Sequence, residues 1–94
     1  MPIYAIHCID KPYSQELRAK TRPAHLKHLK AIADKVLVAG ALLDDEGAPI
    51  GSMLLIDFPD RKAALRFAAE DPYSLAGLFA SVAITPWRQA SLQD

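Results

Sequence analysis

Much of what would announce a function at once is missing from this chain of 94 residues. It has a single cysteine, Cys8, which excludes an intramolecular disulfide framework and fits a reducing compartment. Acidic and basic residues balance at 11 each, so no global field favours nucleic acid or an anionic membrane. No apolar stretch approaches the roughly 20 residues that a membrane span requires. The opening MPIYAIHCID lacks a basic lead and a long apolar run, so no secretory signal is expected there and a cytoplasmic location is. There is no internal repeat, low-complexity tract or linker. Among the four glycines there is no phosphate-cradling GxGxxG or P-loop, and no GxSxG elbow exists.

What is present is apolar. Hydrophobic residues make up 51% of the chain, slightly more than an ordinary soluble protein carries. Residues 1–94 fit one domain, which at this size buries roughly 60–65% of its unfolded surface. In so small a chain the apolar excess predicts a partner subunit covering part of the surface.

The run IYAIHCI (Ile3–Ile9) is rich in strand formers and stops at the turn signal Asp10-Lys11-Pro12. Within it, Cys8 is expected as a small buried residue. Ser14 is placed to cap a helix that starts at Gln15 and continues to about Lys35. Pro23 falls inside that helix, and its missing backbone donor predicts a kink or a restart. VLVAGALL (Val36–Leu43) reads as a second strand, with Gly40 marking a bulge or a close approach. A polar turn, DDEGAP, joins it to a third strand, IGSMLLIDF (Ile50–Phe58), as a hairpin with a loop of about five residues. Asp60 caps a helix over Arg61–Glu70, Asp71 caps a short turn through Tyr73–Gly77, and Phe79–Trp87 forms the last strand. The tail SLQD is expected to fray. The order β-α-β-β-α-β predicts an α+β, ferredoxin-like fold: a four-stranded antiparallel sheet with both helices on one face. Both sheet faces carry apolar residues, with Leu54 and Ile56 alternating with Met53 and Leu55. A homodimer packing sheet face on sheet face would cover the second set. Domains that read RNA on this topology need aromatics on the central strands; the third strand offers Leu, Ile and Met instead.

The segment RPAHLKHLK (Arg22–Lys30) gives part of the helix's inward face to polar groups. At about 100° per residue, Arg18, Arg22 and His25 share a stripe with Leu29, Ile32 and Val36. Two readings stay open. The arginines lay their stems on the core with wet heads and His25 is a satisfied core histidine, or the stripe lines a polar pocket. His28, at the stripe's edge, is expected to be exposed. His25-x-x-His28 has chelating spacing, but no third or fourth ligand is at hand, and no metal is expected. Asp71 is likewise divisible: it is a helix cap, or it reaches His25 and makes the imidazole a positioned base.

RPAHLKHL after a short polar helix, Ala39-Gly40 in the second strand, and DPY before a final strand ending in PW together resemble the YciI-like (YCII-related) family. The resemblance covers almost the whole chain. It implies a dimer of the dimeric α/β-barrel group and an active site built on a histidine–aspartate pair, which falls here on His25 and Asp71. Arg22 matches the arginine before Pro-Ala-His, and Tyr73 the aromatic of DPY. Gly40, through its backbone, and Ser52 are expected to border the same pocket. The DDEGAP turn is more compact than the longer, more acidic or glycine-rich loop of many relatives, which would leave the pocket more open. Elimination of HCl from chlorinated, hydroxylated aromatics is attributed to some of the family.

Three functions are therefore weighed. The first is a small enzyme without a cofactor, a lyase, isomerase or dehydrochlorinase in type. His25 acts as acid or base, Asp71 orients it, Arg22 with Arg18 holds an anionic oxygen, and Tyr73 donates or walls. The second is a binding or accessory module with the same pocket and no turnover. The third is a monooxygenase free of flavin and haem. The expected partners are a small-molecule substrate and a second copy of the chain, not nucleic acid or membrane.

Overall fold

The computed structural model describes residues 2–93. Strand β1 (Ile3–Asp10) leads into helix α1 (Gln15–Lys30), and a 3₁₀ turn (Ala33–Lys35) precedes strand β2 (Val36–Leu43). Strand β3 (Pro49–Asp57), helix α2 (Arg61–Glu70), the one-turn helix α3 (Pro72–Leu75) and strand β4 (Phe79–Trp87) complete the chain. The sheet is antiparallel throughout, in the order β2-β3-β1-β4. This is the ferredoxin-like arrangement that the element order predicts, with the helices packed on one face.

Alternation along the strands decides which face is covered. Tyr4, Ile6 and Cys8 of β1 and Ser52, Leu54 and Ile56 of β3 point to the helices, and all are buried. They meet Leu29 from α1 and Ala64, Phe67 and Ala68 from α2. A fully buried side chain such as Ile6 or Ile56 contributes roughly 2 kcal/mol through removal from water. The other face carries Ala5, His7, Met53 and Leu55, with Val38, Ile9 and Trp87 exposed.

Four local expectations need correction. Helix α1 ends at Lys30, five residues early, because Ile32 leaves helical geometry (φ −126°, ψ 33°) to pack against the core. It does not restart at Pro23, which lies inside one continuous helix. Pro23 is exposed, where the ring meets no packed neighbour and water can satisfy the carbonyl left free. Ser14 takes the N-cap position but makes no side-chain cap bond; its hydroxyl donates instead to the Pro12 carbonyl. Finally, the irregularities of β2 fall between Val36 and Val38 and between Leu42 and Leu43, and a Cβ at Gly40 would meet nothing within 4 Å. The close approach is at Gly51 instead, where a Cβ would run into the Cys8 carbonyl oxygen.

The caps of the second half form as the sequence dictates. Asp60 accepts from the Ala63 N–H at 2.8 Å, and Asp71 accepts from the Tyr73 N–H at 2.9 Å. In the hairpin, Asp44 accepts from the N–H groups of Glu46 and Ala48, and Gly47 supplies the positive φ of 86° that a side chain would resist. The tail after Trp87 is exposed and forms no helix or strand through Gln93; Asp94 lies outside the described residues.

Candidate active site

Helix α1 presents Arg18 and His25 two turns apart on its inward face, and both are buried. Two turns span about 10.5 Å. Tyr73, from α3, fills that interval. Its ring stacks on the His25 imidazole with centroids 4.1 Å apart and an interplanar angle of 20°. The Arg18 guanidinium carbon lies 4.5 Å from the same ring's centroid, within cation–π range. Tyr73 is 1% exposed, so the stack sits inside the protein.

Asp71 closes the arrangement from the start of α3. His25 Nδ1 lies 3.0 Å from each carboxylate oxygen. A carboxylate accepts, so the proton between them belongs to Nδ1. The same Oδ1 takes the Tyr73 N–H. Capping and histidine contact therefore coexist in one side chain, and the two readings of Asp71 were never alternatives. The other imidazole nitrogen, Nε2, has no hydrogen-bond partner, yet the described residues leave no buried side-chain nitrogen or oxygen unpartnered. Nε2 is thus open to the cleft that His25 lines.

The cleft has a volume of about 150 Å³ between α1 and the β2–β3 edge. Arg18, Arg22, His25 and Tyr73 form its polar wall, with Ser52 at the base. Ala39, Gly40 and Ala41 give it a nearly side-chain-free opposite side. A second lobe, walled by Leu43, Pro49 and Ala19, shares Arg18, Arg22, Ala41 and Tyr73 with the first.

The structure brings six of the seven sequence candidates to this cleft directly and the seventh, Asp71, behind His25. Their postures differ from the helical-wheel reading in two respects. Arg22 lines the cleft but is exposed, so it is a solvated cation at the mouth and not part of the buried stripe. Arg18 is the buried arginine, and most of its donors are spent inside the protein. Nε donates to Asp10 at 2.7 Å, and Nη2 to Asp10 at 2.9 Å and to Ser52 Oγ at 2.9 Å. Burial works against the Arg18 charge, but the hydrogen bonds and Coulomb attraction of Asp10 outweigh it and raise the guanidinium pKa above its ordinary value. Burial also raises the Tyr73 phenol, against the pull of Arg18 and Arg22 toward phenolate. It raises the Cys8 thiol to about 12, helped by the Asp71 carboxylate.

Asp10 was not a candidate; it read as a turn residue. The available signal was its place at the end of β1, level with the first turns of α1, where an aspartate can meet an inward arginine. His28 also departs from expectation. It is half-buried, donates Nε2–H to the Phe67 carbonyl at 3.0 Å and stacks on the Phe67 ring, which ties α1 to α2.

Comparison with known proteins gives the family and the fold. A YCII-related domain model matches residues 3–88. The chain is 35% identical to Protein YciI of Escherichia coli, over 93% of this chain and 97% of the other. It is 34% identical to a Haemophilus influenzae protein, over 92% and 96%. Among solved structures it resembles 5-chloro-2-hydroxyhydroquinone dehydrochlorinase (TftG) from Burkholderia phenoliruptrix, in complex with 2,5-dihydroxybenzoquinone. The TM-score is 0.88 at 28% identity, covering 94% of this chain and 95% of the other. A putative antibiotic biosynthesis monooxygenase from Bacteroides thetaiotaomicron matches at a TM-score of 0.58 and 15% identity, over 94% and 88%, which shows a shared fold. The chain belongs to the YCII-related domain family.

Proposed function

We propose that this protein is a small cofactor-independent enzyme that transfers a proton on a compact, anionic, hydroxylated ring compound, with elimination of HCl as the favoured reaction. The observation that carries this reading is the His25–Asp71 pair. One imidazole nitrogen is held at 3.0 Å by both oxygens of a buried carboxylate, and the other is left open to a cleft. Such an imidazole is an oriented general base. The reacting form is the keto tautomer of the ring compound, whose chlorine-bearing carbon is tetrahedral and already carries a hydrogen. His25 Nε2 removes a hydroxyl proton, and the O–H bonding pair becomes a carbonyl π bond. The adjacent ring double bond shifts toward the chlorine-bearing carbon, and chloride departs with the carbon–chlorine bonding pair.

The cleft's size and charge support that substrate class. About 150 Å³ is the volume that holds a benzene ring in an engineered protein cavity. Arg22 at the mouth and the remaining Arg18 nitrogen supply positive charge for an enolate or phenolate oxygen. Similarity to the dehydrochlorinase points the same way. The exposed Arg22 gathers the anion, and Tyr73 stands against the ring's edge. A second copy of the chain covering the open sheet face would complete the assembly.

Chloride release from a panel of chlorinated hydroquinones tests the proposal. Release that falls about 10²–10⁴-fold on His25→Gln is the expected result. Saturable binding of the same compounds without turnover would replace it with a non-catalytic binding module.

A further inference from the structure

The Asp10 carboxylate touches neither His25 nor, in its present bonds, the cleft. Its side chain is 5% exposed and bonded bidentately to an arginine side chain that is 6% exposed. Burying two charges is unfavourable unless geometry and hydrogen bonding are nearly complete, and here they are. Both carboxylate oxygens accept from Arg18, and the Nη2 that serves Asp10 also reaches Ser52. Those three bonds fix the guanidinium plane, since a fork held at Nε and Nη2 cannot rotate. Nη1 makes none of these three bonds, and the guanidinium's remaining side-chain neighbour is the Tyr73 hydroxyl. Nη1 is not among buried nitrogens left unpartnered, of which the described residues have none. Arg18 lines the two lobes at Tyr73.

We propose that Asp10 is a positioning residue that clamps Arg18 between Ser52 and the Tyr73 ring, so that Nη1 is presented as a fixed donor to an anionic oxygen in the cleft. This rests on the proton-transfer reading for the identity of the oxygen, but the clamp itself does not. The clamp also keeps Arg18 over the Tyr73 ring that stacks on the His25 imidazole, so that the ring is held from both ends of the two-turn interval. Arg22 cannot substitute, because it is exposed and unclamped. Ser52 acts with Asp10, as the second acceptor that sets the fork's angle.

NMR on the free protein and its Asp10→Asn and Asp10→Ala variants tests the clamp, with calorimetry using 2,5-dihydroxybenzoquinone as the probe. In the wild type, the Arg18 Nε–H is expected to exchange slowly with water, and the Arg18 side-chain protons to be shifted upfield by the Tyr73 ring. Both signatures should weaken in Asp10→Asn and vanish in Asp10→Ala, while the His25–Asp71 signals stay in place. Quinone affinity should fall about 10- to 100-fold in Asp10→Ala, the loss of one charge-assisted bond. A merely structural Asp10 would lower stability and leave the Arg18 signatures where they are. Should Asp10→Ala fail to fold, Ser52→Ala removes the third bond and is expected to weaken the upfield shift and the affinity in part. A wild-type Arg18 Nε–H that exchanges as fast as a solvated arginine would overturn the clamp, as would variants with unchanged Arg18 signatures. If the wild type shows the clamp but does not bind the quinone, the substrate reading fails and the clamp stands.

Discussion

The chemistry of this protein is concentrated in a few side chains that differ in how far they are committed to one another. Among the described residues, His25 is bonded at Nδ1 and not at Nε2; Arg18 is bonded at Nε and Nη2; Arg22 is exposed and makes no ion pair. That ranking predicts unequal effects of mutation. Arg22→Ala should raise KM for an anionic substrate several-fold with little effect on stability, because an exposed charge contributes little to folding. Steady-state kinetics alongside thermal melting checks both halves. Cys8 belongs at the opposite extreme. Its thiol pKa, raised from 9.0 to about 12 by burial, lowers the thiolate fraction near neutral pH about a thousandfold. Native protein at pH 8 should therefore react with a thiol reagent at least that much more slowly than protein in denaturant, and a comparable rate would show that Cys8 is not buried. The sign follows for stability too: a thiol kept neutral in the fold stabilises below pH 9, and that contribution is lost as pH rises from 9 toward 12. Sequence motifs pointed to His25, Asp71 and Tyr73. They could not distinguish a clamped arginine from a free one, since Arg18 and Arg22 are one turn apart on the same helix and differ only in which meets an aspartate from another element.

Among the elements, the strands and the second helix were readable because their signals are local: alternation, a capping aspartate, a glycine in a turn. Asp60→Ala should cost about 1 kcal/mol through loss of the N-cap, seen as a fall in Tm of about 4–8 °C for a domain of this size. The misreadings lie where tertiary packing overrides local preference. Between Pro23 and Val36 the sequence carries no breaker, yet helix α1 stops at Lys30 so that Ile32 can turn onto the core. Pro23, the strongest local breaker, is absorbed without a restart. Gly51 was passed over and Gly40 chosen, because crowding depends on which backbone lies alongside, a property of sheet register rather than of the residue. Gly51→Ala should accordingly destabilise by about 1–3 kcal/mol, as over-packing does, while Gly40→Ala should be mild. Denaturant unfolding of the two variants compares them, and equal losses would show that the β1–β3 register is wrong.

For the molecule as a whole, the fold follows from patterning, since only one layered solution covers two amphipathic helices and four strands of this order. One face remains. Met53, Leu55, Ala5 and Val38 share the sheet surface away from the helices, and a second copy packed there is expected to give a dimer at micromolar concentration; light scattering that returns the monomer mass would exclude it. The purpose of the scaffold, in the reading advanced here, is to hold one imidazole so that its Nδ1–H points at Asp71 and its Nε2 at the cleft. Nitrogen-15 NMR of His25 near neutral pH, before and after addition of 2,5-dihydroxybenzoquinone, measures that orientation directly. Protonated Nδ1, with an Nε2 resonance that moves when the quinone binds, is the predicted result. A neutral ring protonated at Nε2, or an Nε2 resonance indifferent to a bound quinone, would contradict it.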